Sequence, residues 1–101
     1  MNLVWTRSAK IDLKFIFDYY KYKASSSIAH KIRNACFDRV EILFQNPEAG
    51  PVDEILKELN EGHRYLIEGN YKIIYKIISN TIFITGVFDT RQEPQKIFLK
   101  K

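Results

Sequence analysis

Apolar residues recur along this chain in two periods, near 3.6 residues at first and 2 residues later. Leu3-Val4-Trp5 is a short apolar run bounded by polar residues and predicts a strand. Ser8 is placed to cap a helix, because a serine hydroxyl accepts from a backbone N–H two or three residues on. Ala9, Leu13, Ile16, Phe17 and Tyr20 follow at helical spacing and form one apolar stripe, with Lys10, Lys14, Asp18 and Lys21 mostly on the other side. Ala24-Ser25-Ser26-Ser27 interrupts the stripe and offers caps for a second helix. In that helix Ile28, Ile32, Ala35, Cys36, Val40, Leu43 and Phe44 recur at three and four residues. It is predicted to run to Gln45-Asn46 and to stop at Pro47, since the residue before a proline is pushed out of helical geometry. The two helices form an antiparallel hairpin.

Pro47-Glu48-Ala49-Gly50-Pro51 reads as a turn-rich connector, and Asp53–Leu59 as one or two helical turns ended by Asn60-Glu61-Gly62. The period then becomes 2. Arg64–Glu68 predicts a strand, Gly69-Asn70 a tight turn, and Tyr71–Ile78 a second strand with Lys72 and Lys76 on one side. Thr81–Phe88 predicts a third, with Ile82, Ile84 and Phe88 on one face and Phe83 and Val87 on the other. Both faces are apolar, which suits an interior strand. The tail, Gln95–Lys101, is read as a short strand or a mobile end. The predicted fold is α+β: an N-terminal strand and an α-helical hairpin packed on a C-terminal antiparallel three-stranded meander, a four-stranded sheet in all. Residues 1–101 are expected to form one domain.

Composition narrows the functional classes. With 101 residues the chain has room for one core, which excludes a two-lobed enzyme with a cleft between domains. At 46% hydrophobic and 28% charged residues it has the make-up of a folded domain. Cys36 is the single cysteine, so neither a disulfide framework nor a multi-cysteine zinc site is available. No run is long and apolar enough to span a membrane, and no cationic leader precedes an apolar stretch. A cytoplasmic setting without membrane contact is expected. The net charge of +4 is unevenly distributed. Residues 1–46 carry 8 basic and 4 acidic side chains (+4), residues 47–70 carry 2 and 6 (−4), and residues 71–101 carry 6 and 2 (+4).

Motifs for nucleotide binding or serine hydrolysis are absent, and no histidine–carboxylate set has metal-ligand spacing. Neither a cofactor nor a metal is expected. Cys36 lies on an apolar stripe and reads as buried and inert. His30 reads as solvated, and His63 precedes a strand. What remains is a group of cations and aromatics near the sheet: Arg64, Lys72, Lys76 and Arg91, interleaved with Tyr65, Tyr71 and Tyr75. An arginine fork suits phosphate and an aromatic ring can stack on a base, so Lys72, Lys76, Tyr71 and Tyr75 are candidates for partner or nucleic-acid binding. The competing reading has Arg64 paired with Glu68 or Glu61 and the tyrosines packing the sheet.

Several linked segments carry a resemblance. Ala9-Lys10-Ile11-Asp12-Leu13, Ile16-Phe17-Asp18-Tyr19-Tyr20, Leu43-Phe44-Gln45-Asn46-Pro47-Glu48-Ala49-Gly50, Arg64-Tyr65-Leu66, Tyr71-Lys72-Ile73-Ile74-Tyr75 and Val87–Pro94 stand in an order and spacing similar to the RelE/ParE superfamily of toxins from bacterial type II toxin–antitoxin modules. The resemblance implies a growth-inhibiting toxin of the plasmid-stabilisation kind, neutralised by a cognate antitoxin. RelE-like members cut messenger RNA on the ribosome. ParE-like members share the fold and poison DNA gyrase. By the resemblance, Arg64, Arg91 and Lys57 are the catalytic candidates if the chain is RelE-like. The tail after Arg91 holds no tyrosine or histidine, only lysines among titratable groups apart from Glu93, and Phe88 or Asp89 stands where many members carry histidine. A general acid or base needs a titratable group in reach of its proton. The ParE-like reading, a gyrase poison, is therefore favoured over a ribosome-dependent endoribonuclease.

Overall fold

The computed structural model describes all residues, Met1–Lys101. Its elements are β1 (Asn2–Trp5), α1 (Arg7–Lys23), α2 (Ser26–Arg39), β2 (Arg64–Glu68), β3 (Tyr71–Ile78) and β4 (Thr81–Asp89). Short 3-10 turns cover Val40–Phe44, Leu56–Leu59 and Pro94–Lys100. The four strands form one sheet in the order β1-β4-β3-β2, with the meander antiparallel and β1 parallel to β4. The helical hairpin covers one face, as the α+β reading expects.

The cap of α1 is Thr6 and not Ser8. Thr6 Oγ1 accepts from the Ala9 N–H at 3.2 Å and donates to the Ile84 carbonyl at 2.8 Å, while the Thr6 N–H reaches the same carbonyl at 3.1 Å. One residue thus ends the β1–β4 pairing and starts the helix, a linkage that Ser8, already inside the first turn, cannot make. Ser25 caps α2 by accepting from the Ile28 N–H at 3.1 Å. The α2 helix ends at Arg39, and the chain continues in 3-10 geometry to Phe44 before Pro47.

The core on the helical face joins Ala9, Leu13, Cys36, Val40 and Leu43 to Leu66, Ile73, Tyr75, Ile82 and Ile84. A second cluster, Leu56, Ile74, Phe88 and Ile97, lies on the other face of the sheet. Phe88 therefore does not share a face with Ile82 and Ile84. In the β3–β4 ladder Tyr75 faces Ile84 and Ile74 faces Gly86, so Thr85 is an extra residue in β4. A one-residue bulge reverses the facing of everything after it. Val87 accordingly turns toward the helices and Phe88 away from them.

The tail covers that second face as a 3-10 turn with Ile97 buried, in place of the expected strand or mobile end. Thr85 Oγ1 donates to the Lys100 carbonyl at 2.7 Å, and His63 Nε2 donates to the Lys101 carbonyl at 3.1 Å. The tail crosses closely over Gly86, where a Cβ would lie 2.6 Å from the Lys100 Cβ. No helix is long and apolar enough to cross a membrane.

Gly86→Ala is expected to lower stability by about 1–3 kcal/mol through overpacking against the tail. Urea unfolding monitored by circular dichroism measures this, and an unchanged midpoint would mean that the tail does not lie over Gly86.

Candidate functional site

The connector after the helices is held from the sheet. The Tyr75 hydroxyl, fully buried, donates to the Pro47 carbonyl at 2.8 Å and accepts from the Gly50 N–H at 3.0 Å. Burial raises the pKa of this phenol. Arg64, cross-strand from Tyr75 in the register, donates to the Gly50 carbonyl at 2.7 Å and more distantly to that of Glu48. Gly50 packs so tightly here that a Cβ would fall 2.2 Å from the Tyr65 carbonyl oxygen. Arg64 thus fastens a loop, and its partners are carbonyls in place of Glu61 or Glu68.

The other cations are engaged elsewhere. Lys72 pairs with the buried carboxylate of Asp53 at 3.0 Å and lies 4.3 Å from the centre of the Tyr65 ring. Asp53 in turn accepts the Ile55 and Leu56 N–H groups and so starts the turn at Leu56–Leu59. Lys76 pairs with Glu61 at 2.8 Å, which holds the Glu61 carboxyl below its ordinary pKa. Arg91 grips Asp89 through Nε and a terminal nitrogen, both at 2.9 Å, and lowers the pKa of that carboxyl. Lys57 is exposed on the turn at Leu56–Leu59.

The candidate residues therefore do not converge. Tyr71, Tyr75 and Arg64 face the helical layer, whereas Lys72 and Lys76 project from the opposite face of the sheet. Arg91 follows the end of β4, next to Tyr71 and its partner Tyr20, whose hydroxyls meet at 3.2 Å. Burial foremost, then this hydrogen bond, pushes the Tyr71 phenol above its ordinary pKa.

The most open feature is one that the periodicity left out. Ile11, Phe15, Tyr19 and Tyr22 form a second stripe on α1, outward-facing, with Phe15 76% and Tyr22 85% exposed. Their spacing of four, four and three residues was the available signal. Beside Ile11, Phe15 and Tyr19 runs a groove of about 570 Å³ whose far wall is Val87, Asp89 and Arg91. It follows the margin of β4 beyond Ile84, where β1 no longer pairs. There Asp12 Oδ2 accepts the Val87 N–H at 3.0 Å, and Asp12 Oδ1 meets Lys100 Nζ at 2.6 Å. A carboxylate thus occupies the position of a neighbouring strand's carbonyl.

The chain matches, over residues 3–94, the family model described as the ParE toxin of type II toxin–antitoxin system, parDE. Among solved structures it is similar to one described as "Chromosomal ParDE TA system from P. aeruginosa", with 26% identity and a TM-score of 0.75, covering 88% of this chain and 95% of that one. No curated protein matches it in sequence.

Removing the guanidinium in Arg64→Ala should cost about 1.5–3 kcal/mol in urea unfolding, the range for hydrogen bonds from a charged donor. Arg64→Lys should recover only part of it, because a compact, more strongly hydrated ammonium does not reproduce the position of the Nη1 that donates to both carbonyls. Equal stability of all three proteins would contradict the loop-fastening role. A second test concerns Cys36, whose thiol is pushed by burial, and secondarily by Glu68, from the ordinary 9.0 up to about 11. Below pH 9 both folded and unfolded thiols are protonated. Between about 9 and 11 only the unfolded thiol ionises, so stability falls across that window. The decline should be smaller in Cys36→Ala, and identical pH profiles would contradict it.

Proposed function

The chain belongs to the ParE toxin family of type II toxin–antitoxin systems, and on that premise we propose that it arrests growth by binding DNA gyrase, with a cognate antitoxin holding it silent. The observation that carries this reading is the dispersal of the cations. Cleaving RNA requires positive groups around one phosphorus and an acid or base within reach of the proton in transit. Here Arg64 is committed to connector carbonyls, Arg91 to Asp89, Lys72 to Asp53 and Lys76 to Glu61. Lys57 stands on a separate turn. A surface inhibitor needs no such convergence.

The groove between α1 and the margin of β4 suits the antitoxin. It offers apolar anchors in Ile11, Phe15 and Tyr19, bordered by the Arg91–Asp89 and Lys100–Asp12 ion pairs. A segment with apolar residues at intervals complements the anchors and would fold as it binds. Action on gyrase implies a cytoplasmic setting.

Induced expression followed by parallel assays tests the reading. Gyrase-linked DNA breaks with ribosome-bound message left intact are expected. Message cut in the decoding site, with cutting lost in Arg64→Ala or Arg91→Ala, would replace this reading with an endoribonuclease. Coexpression with the product of a short adjacent gene should restore growth.

A further inference from the structure

A second groove runs along the opposite flank of α1, at its seam with α2, and shares no lining residue with the first. Leu13, Phe17, Trp5 and Phe37 make it apolar, and its volume is about 550 Å³. Its charged residues are Lys10, Lys14, Arg33 and Asp18, an excess of two positive charges. The Lys14–Asp18 pair, at 2.7 Å, is exposed and balances itself, so the excess is carried by Lys10 and Arg33. Lys10 makes no ion pair.

Arg33 is the unusual member. Its guanidinium carbon lies 4.8 Å from the centre of the Phe17 ring, and its Nε is buried with no hydrogen-bond partner. No other nitrogen of the side chain bonds within the chain. A buried donor left unpaired costs about 1–3 kcal/mol, and more when it is charged. The cations that project from the sheet, Arg64, Lys72 and Lys76, have each found a carbonyl or a carboxylate. Arg33, on α2, is instead held by an aromatic face with its Nε buried and without an acceptor, beside an apolar groove.

We propose that this groove docks an acidic segment of the inhibited target, in which a carboxylate adjoins a bulky apolar side chain. The inference rests on the gyrase reading above. The carboxylate meets the Arg33 fork and the rim lysines, and the apolar side chain enters between Trp5, Phe17 and Phe37. A deep anchor flanked by a desolvated charge pair is the usual make-up of a binding hot spot. A nucleic-acid strand fits less well. Trp5 and Phe37 meet edge to face at 74°, which leaves no parallel slot for a base, and Asp18 at the rim opposes phosphate. The antitoxin has its own groove on the other flank. An α-helix with its side chains is only about 10–12 Å across. An antitoxin on one flank therefore crowds a large target off the other, which gives neutralisation without a shared contact.

The test uses the full chain, purified gyrase and the purified antitoxin. Arg33→Met keeps the packing on Phe17 and removes the fork; Lys10→Glu reverses an exposed rim charge and leaves the core untouched. Each is expected to raise at least tenfold the concentration that half-inhibits gyrase supercoiling, while antitoxin affinity stays within twofold. Wild-type inhibition should weaken with added salt, as an interaction between partly exposed charges does. Unchanged inhibition by both variants overturns the groove and leaves the gyrase reading standing. A parallel loss of antitoxin affinity overturns it in favour of an antitoxin site, and loss of binding to bare DNA overturns it in favour of a nucleic-acid site. A wild-type chain that does not inhibit gyrase at all removes both.

Discussion

A single extra residue in β4 organises most of what is distinctive here. Because Thr85 bulges, the strand presents Ile82 and Ile84 to the helices in its first half and Phe88 to the opposite side in its second. Both faces of the sheet are then buried, and the second needs a cover that the helical hairpin cannot supply. The tail provides it, passing over Gly86 and bonding to Thr85 itself. The same irregularity directs the Val87 N–H to Asp12, which is where the α1 groove begins. Core, tail and groove follow from one departure from strict alternation.

Electrostatics follows the chain's three charge blocks. The acidic middle segment supplies Asp53 and Glu61, and these meet Lys72 and Lys76 of the basic last segment. Much of the positive charge on the sheet is therefore answered inside the fold. The cations beside the first groove, Arg91 and Lys100, are answered in the same way by Asp89 and Asp12. At the second groove Lys14 pairs with Asp18, while Lys10 and Arg33 make no ion pair. The net charge counts all of these together, although Lys10 and Arg33 are the groove cations left without a carboxylate.

The elements and their order were legible in the sequence because helical and alternating periods are written directly in residue spacing. Strands β2 and β3 match their expected limits, since turn residues mark their ends. The facing of Phe88 was not legible, because alternation assumes no bulge and nothing local in Ile84-Thr85-Gly86 announces one. The tail was obscure for a related reason: Ile97 is buried against residues far away in sequence. At the candidate sites, residue types gave the right chemistry and the wrong company. Arg64 and Tyr75 read as ligand-binding side chains, yet a glycine with no room for a Cβ lies beside them. Arg33 carried no signal at all, as an unpaired guanidinium is visible only once its neighbours are known.

The Asp12 carboxylate has one further consequence, for the free chain in a crowded cell. The outer margin of a sheet invites pairing with any other extended chain, including another copy of itself. At this margin the Val87 N–H is already occupied by Asp12, which Lys100 in turn steadies from the tail. An extended strand from a second copy thus meets a charged group at this margin, where an open ladder would otherwise be.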